Sequence, residues 1–178
     1  MKYCRASKEA ELNEILALQR LNLPNAISAS ESKEEGFVTV VHDFDILHKM
    51  NDKCTHIIAK SSDKVIGFAL CMHPSFKDDI TVLKPMFDQL QICLSTEQKF
   101  MVMGQICIAK PYRKKGIFKG LYNFMASELK NECDLIVTAV AATNTRSVNA
   151  HYAVGFKHLK TSNTDGHQWD LIALDLLI

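Results

Sequence analysis

The chain is expected to fold as an α+β unit of three layers, a mixed and mostly antiparallel central sheet flanked by helices, and three observations predict this. "THIIAK" and "VIGFALCMH" are two β-rich runs separated by the polar tetrapeptide "SSDK", a hairpin signal that implies antiparallel pairing. Met101 to Ala142 reads as one strand-helix-strand unit. Strands around "KHLKT" and "QWDLIALDLL" close the chain, so antiparallel strands flank that unit on both sides.

Taken in order, "KYCRA" is a short strand, and "SKEAELNEILALQRLNLP" a helix with Ser7 as N-cap and an apolar stripe of Leu12, Ile15, Leu16, Leu18 and Leu21, ended by Pro24. "NAISASESKEEG" is polar and without periodicity, which predicts a surface loop. "FVTVV" then reads as a strand and "DFDILHKMN" as a short helix. After the hairpin, "TVLKPMFDQLQIC" reads as a helix with Pro85 in its first turn. "KFMVMGQICIA" is a strand. "FKGLYNFMASELKNE" is a helix with Leu121, Phe124, Met125, Ala126 and Leu129 on one side, and "LIVTAVA" is a strand. "NTRSVNAHYAVGF" is a short helix capped by Asn144 and stopped at Gly155.

At 178 residues, with no internal repeat or linker composition, residues 1–178 read as a single domain. The formal net charge of +1 argues against a protein built mainly to bind nucleic acid, and no apolar run approaches the roughly 20 residues that span a bilayer. Six cysteines stand singly, with no pair or histidine at zinc-ligand spacing, so no metal is expected and the thiols are read as reduced. Without the apolar core of a signal peptide, the expected location is cytoplasmic.

The informative stretch is "AKPYRKKGIFKGL", where Lys110, Arg113, Lys114, Lys115 and Lys119 surround Gly116 between a strand and a helix. A helix N-terminus points unpaired N–H groups outward at its positive end, and a glycine lets a ligand approach the main chain; together they favour a phosphate. There is neither a GxxxxGK[ST] nor a GxGxxG after a strand, which sets aside the common ATPase and dinucleotide loops and leaves coenzyme A as the natural candidate.

"YRKKGIFKGL" resembles the acetyl-coenzyme A loop of the GNAT N-acetyltransferases, a Gln/Arg-x-x-Gly-x-Gly/Ala pattern after a strand and opening a helix; Arg113, Gly116 and Phe118 take its three places, Phe118 where a small residue is usual. "NTRSVNAHYAVGF" is similar to the family's second landmark, one strand further on, and "KVIGFALC" to its central hairpin strand, so the resemblance covers most of the chain from Thr55 onward. It implies a GNAT-like acyl-coenzyme A N-acyltransferase fold, acetyl-coenzyme A as cofactor, and a small-molecule or peptide amine as acceptor. A homodimer is one option. By resemblance the strand Gln105 to Ala109 splays from its neighbour, Ile106, Cys107 and Ile108 meet the pantetheine arm, Arg113, Lys114, Lys115, Gly116, Ile117, Phe118 and Lys119 hold the pyrophosphate, and Asn144 bonds the pantetheine.

Acyl transfer to an amine needs a neutral amine, a donor for the developing oxyanion and an acid for the leaving thiolate. Aligning Gly155 and Phe156 puts His151 at the place of the family's tyrosine and Tyr152 one residue later, so the two are alternative acids. Gln105 stands where many members carry a base, and an amide cannot take a proton; His73 and Asp78 are substitutes by position only. Cys107 reads as a buried small residue rather than a nucleophile. The activity implied is N-acetylation of a primary amine by direct attack, with a non-catalytic acyl-coenzyme A sensor as the alternative.

Overall fold

A computed structural model describes residues 1–164 and 166–177, and for Ala29, Ser32 and Lys33 the backbone alone. Asp165 and Ile178, within the single unit expected for 1–178, lie outside the described residues. Among the described residues seven strands form one sheet: β1 (Lys2–Arg5), β2 (Ile57–Ser61), β3 (Lys64–Met72), β4 (Phe100–Ile108), β5 (Leu135–Ala141), β6 (Lys157–Thr164) and β7 (His167–Asp175), in the order β1-β2-β3-β4-β5-β7-β6. Every adjacent pair is antiparallel except β4 and β5, which are parallel and joined by a helix as a parallel crossover requires.

Among the described residues six α-helices accompany the sheet: α1 (Glu9–Arg20), α2 (Ala29–Glu35), α3 (Phe44–Lys53), α4 (Lys84–Cys93), α5 (Ile117–Leu129) and α6 (Thr145–Val154). The period-2 alternation of the strands sorts apolar side chains to opposite faces. Val137, Leu171 and Ala173 join Leu12, Ile15, Leu47 and Leu90 of α1, α3 and α4 in one core, whereas Ile136, Val140 and Ile172 join Leu121, Tyr122 and Met125 of α5 in the other. The layers are therefore helix, sheet, helix. In the β2–β3 hairpin, Ser62 and Asp63 both take positive φ, the mirror-image turn whose twist suits a two-residue connection.

Three local expectations are corrected. Lys8, not Ser7, takes the N-cap position of α1; the Glu11 carboxylate reaches back to accept from the backbone N–H groups of Ser7 at 2.8 Å and Lys8 at 3.1 Å, so the first turn is satisfied from inside the helix. The expected loop "NAISASESKEEG" contains α2, whose first turn is held by Ser28 Oγ accepting from Glu31 N; this helix has no apolar stripe and is fixed by ion pairs described below. The expected strand "FVTVV" pairs with no sheet strand. Residues 37–41 form an extended strap, secured by Val38 N–H donating to Asn22 O and by the Gln105 and Asn144 side-chain amides donating to Val40 O and Phe37 O.

Gly120 of α5 serves packing rather than the loop before it. A Cβ there would fall 2.0 Å from Tyr3 Oη, so the bare backbone is what lets the helix lie on β1.

Candidate active site

The site begins where the parallel pair ends. β4 and β5 are in register only at Phe100–Leu135, Met101–Ile136 and Val102–Val137, and beyond Val102 the two strands part. The expected splay from Gln105 thus opens earlier, from Met103. On its other side β4 stays paired with β3, where Ala69 opposes Ile106 but Cys71 opposes Met103, so β4 carries one extra residue and bulges at Gly104 and Gln105. Ala109 N–H donates to Ile66 O at 2.8 Å, and by alternation Ile106 and Ile108 turn their backbone groups away from β3 and into the gap. A strand edge open at Ile106 therefore lines one wall, the Ile108 carbonyl being taken by Arg113.

At the mouth of the gap, a 3-10 turn over Lys110–Tyr112 leads to Lys114 and Gly116, both with positive φ (60° and 77°), and α5 starts at the next residue. The first helical bond here is Gly120 N–H to Gly116 O at 3.0 Å; the N–H groups of 114–119 find no acceptor among the described residues. These unpaired donors converge on the positive end of a 13-residue helix. Nothing lies within 4 Å of where a Gly116 Cβ would be, which leaves the approach open.

A cleft of about 390 Å³ runs from this helix end along β4. It is lined by Ile106, Cys107, Ile108, Arg113, Lys114, Gly116, Ile117, Phe118, Lys119 and Asn144, which is every cofactor residue expected from the sequence except Lys115. Lys115 instead holds its ammonium 5.5 Å from the Tyr112 ring centroid. Asn144 accepts from Ser147 N at 3.2 Å as the N-cap of α6, and its amide also donates to the strap at Phe37 O. Cys107 is buried and its thiol is pushed up to about 12 by burial, which suits a wall residue and not a nucleophile.

The cations are less free than their number implies. The largely buried Arg113 guanidinium donates to Ile108 O at 3.2 Å and to Asn22 Oδ1, bracing the loop against the end of β4 and the end of α1. Lys110 pairs with Glu31 and Lys114 with Glu35, each at 2.8 Å, so the acidic face of α2 lies against the basic loop. The hydrogen bond from Lys114 holds the Glu35 carboxyl below the usual carboxylate range, with the charges of Arg113 and Arg146 adding to it. Glu31, Glu35, Asn22 and Arg146 were not singled out from the sequence; an S-x-x-E start before an acidic run was the one signal of α2.

The two acid candidates sit very differently. His151 is almost fully buried, with Nδ1 2.7 Å from Ser147 O and Nε2 2.7 Å from Tyr122 Oη. Nδ1–H therefore donates to the carbonyl and Nε2 accepts from the phenol. Phe118, Tyr122 and Phe156 pack edge-on around the ring, and burial lowers its pKa to about 4, so it is neutral at pH 7. Phe118, the departure from the loop pattern, is thereby accounted for as part of this aromatic cluster. Tyr152 is 40% exposed and lines none of the cavities described among these residues.

Gln105 is also committed. Its Oε1 accepts from Gln19 Nε2 at 2.8 Å and its Nε2 donates to Val40 O at 2.8 Å, while the same Gln19 amide donates to His42 Nδ1 at 2.9 Å. This chain ties α1, the strap and the β4 bulge together. His73 accepts from Ser75 N as a turn cap, and neither it nor Asp78 lines these cavities. At Gln105 the splay holds a small cavity of about 70 Å³ lined by Gly104, Thr138, His151 and Trp169, which shares walls with a cavity of about 410 Å³ on the other face of the sheet.

An open mixed sheet, splayed where its two parallel strands part and carrying a glycine-led helix N-terminus at the mouth of the splay, defines the acyl-coenzyme A N-acyltransferase class. The particular family follows: the model of the acetyltransferase (GNAT) family matches residues 14–156, and the chain belongs to that family. Its structure is similar to smu.2055 from Streptococcus mutans UA159 (TM-score 0.67, 17% identity, 99% of each chain covered). It is also similar to the ribosomal-protein-S18-alanine N-acetyltransferase from Escherichia coli (TM-score 0.66, 11% identity, covering 99% of this chain and 94% of that one). A third is yncA from Salmonella typhimurium, a putative acetyltransferase solved with its cofactor acetyl-CoA (TM-score 0.66, 13% identity, 99% and 94% covered). No curated protein matches the chain by sequence.

Acetyl-coenzyme A is the family's cofactor, and the residues present fit it: unpaired N–H groups at 114–119 suit a pyrophosphate, and the open edge at Ile106 suits an amide of a pantetheine arm. Among the described residues no group of three or more histidine, cysteine or acidic side chains could hold a metal, and no helix is long and apolar enough to cross a membrane.

Proposed function

We propose that this chain, as one domain over residues 1–178, is an acetyl-coenzyme A-dependent N-acetyltransferase that passes the acetyl group directly to a primary amine. The observation that carries this reading is adjacency: an unpaired helix N-terminus and an open strand edge line one cleft, and a small cavity at the splay shares Ile106 and Asn144 with it and Gly104 and Trp169 with the cavity beyond. Backbone N–H groups around Gly116 hold phosphate, with Arg113, Lys114 and Lys119 as supporting charge; Ile106, Cys107 and Ile108 guide the pantetheine, and Asn144 fixes it from α6. When bound, the cofactor supplies a thioester whose acetyl carbon joins the amine nitrogen as the C–S bond breaks, the amine proton leaving with the thiolate.

Of the paired acid candidates, His151 is the one that faces the gap. Its role is to fix Tyr122 and Phe118 beneath the thiol end of the cleft, since at neutral pH it has no spare proton to give. With an amide at Gln105, the amine has to arrive neutral or lose its proton to water. Release of coenzyme A thiol across a panel of primary amines tests the reading. Saturable, protein-dependent release with any of them is expected.

The alternative, a non-catalytic acyl-coenzyme A sensor, is favoured by the same Gln105, because both ends of its amide are engaged in structural hydrogen bonds. It predicts cofactor binding with no thiol release from the whole panel.

A further inference from the structure

The cavity on the far face of the sheet is walled mainly by apolar surface, with a polar share from threonine, serine, glutamine and histidine side chains. Trp169 and Leu171 of β7, Met86 and Pro85 of α4, and Val40 of the strap form its walls. Its polar lining is amide, hydroxyl and the imidazole of His167, and among the described residues no aspartate, glutamate, lysine or arginine contributes to it. Val41 and Val82 continue the apolar surface outward to the rim, both about two-thirds exposed (66% and 67%). At about 410 Å³ the cavity has the size of a small-molecule site.

Charge decides what such a cavity accepts. A polyamine or aminoglycoside would place a second ammonium against these walls, where among the described residues it meets the neutral Gln89 amide oxygen but no carboxylate to pair with it. A single amine on an apolar body meets no such obstacle: its body replaces water on Trp169 and Met86, and desolvation favours the neutral amine that the reaction needs. The apolar rim at Val41 and Val82 offers a longer ligand apolar contact but no charged group.

We propose that the acceptor is a small apolar monoamine, aryl-alkyl or branched alkyl, bound in the cavity walled by Trp169, Met86 and Val40. This rests on the acetyltransferase reading above, and the test separates the two. Trp169 is the only tryptophan of the chain, so its emission reports occupancy without any turnover. Phenethylamine is expected to shift that emission saturably and spermidine to leave it unchanged, and kcat/KM for phenethylamine should exceed that for spermidine by at least ~100-fold, a difference of about 2.7 kcal/mol.

Because Val82 is exposed at the rim, Val82→Glu should fold normally, lower phenethylamine turnover and raise that of spermidine. Spermidine equal to or better than phenethylamine in the unaltered protein, or an unchanged ranking in the variant, overturns the proposal. So does a Leu-Ala-Ala tripeptide preferred over leucinamide, which would mean a peptide N-terminus. Saturable fluorescence with phenethylamine but no thiol release from any amine would support the ligand class while removing the acetyltransferase reading.

Discussion

Nζ of Lys114 lies 2.8 Å from Oε1 of Glu35, so the phosphate-facing loop and the acidic helix α2 neutralise each other. An incoming pyrophosphate has to share these cations with Glu31 and Glu35. Glu35→Gln removes the competing charge while keeping a hydrogen-bonding amide, and should tighten coenzyme A binding by roughly threefold to tenfold at low ionic strength. The gain should shrink at high salt. Titration calorimetry at two salt concentrations measures both; weaker binding in the variant would mean that α2 supports the ligand instead of competing with it.

Tyr122 and His151 form a buried donor-acceptor pair, so removing the phenol leaves an imidazole nitrogen without its partner. Tyr122→Phe should therefore destabilise the fold by about 1–3 kcal/mol. Tyr152→Phe, at an exposed position, should change stability by less than about 0.5 kcal/mol and leave turnover unaltered. Denaturant unfolding together with steady-state kinetics checks the pair; a large loss of kcat in Tyr152→Phe would return the acid role to that side chain.

Three buried histidines make the fold acid-sensitive. Burial is the largest influence on each and lowers the pKa to about 4 for His42 and His151 and about 3 for His56, against 6.5 when unfolded. The unfolded chain then binds more protons between these values, so stability is full above pH 6.5 and falls as the pH drops toward 4. At pH 5 each histidine withdraws about 2 kcal/mol. Thermal unfolding at pH 7.5 and pH 5 should show a marked fall in Tm, and equal Tm values would contradict these environments.

Gly116 sits at φ 77° with open space around it, so any penalty for a side chain is backbone strain and not a clash. Gly116→Ala should weaken coenzyme A binding more than Gly116→Asn, because asparagine tolerates the left-handed region. Equal loss in the two variants would point to blockage of the approach instead.

What could be read in the sequence was what local chemistry encodes. The β2–β3 hairpin, the β4-α5-β5 unit and α6 between Asn144 and Gly155 all carry their own period, turn or cap signals. Helix α2 was missed because its stabilising partners, Lys110 and Lys114, lie some eighty residues away and leave no apolar stripe. "FVTVV" has strand composition but spans the splay, where side-chain amides of Gln105 and Asn144 replace a ladder. Tyr122 was not among the residues read as the apolar side of α5, and only the fold brings it to His151. The far cavity is assembled from five separated segments, which no short motif announces.

The central claim is that the N–H groups around Gly116 and the free edge of β4 hold acetyl-coenzyme A. Titration calorimetry of the purified protein with acetyl-coenzyme A tests it most directly. Saturable one-to-one binding, weakened in Gly116→Ala, is the expected result, and the absence of any binding heat across accessible concentrations and temperatures would contradict it.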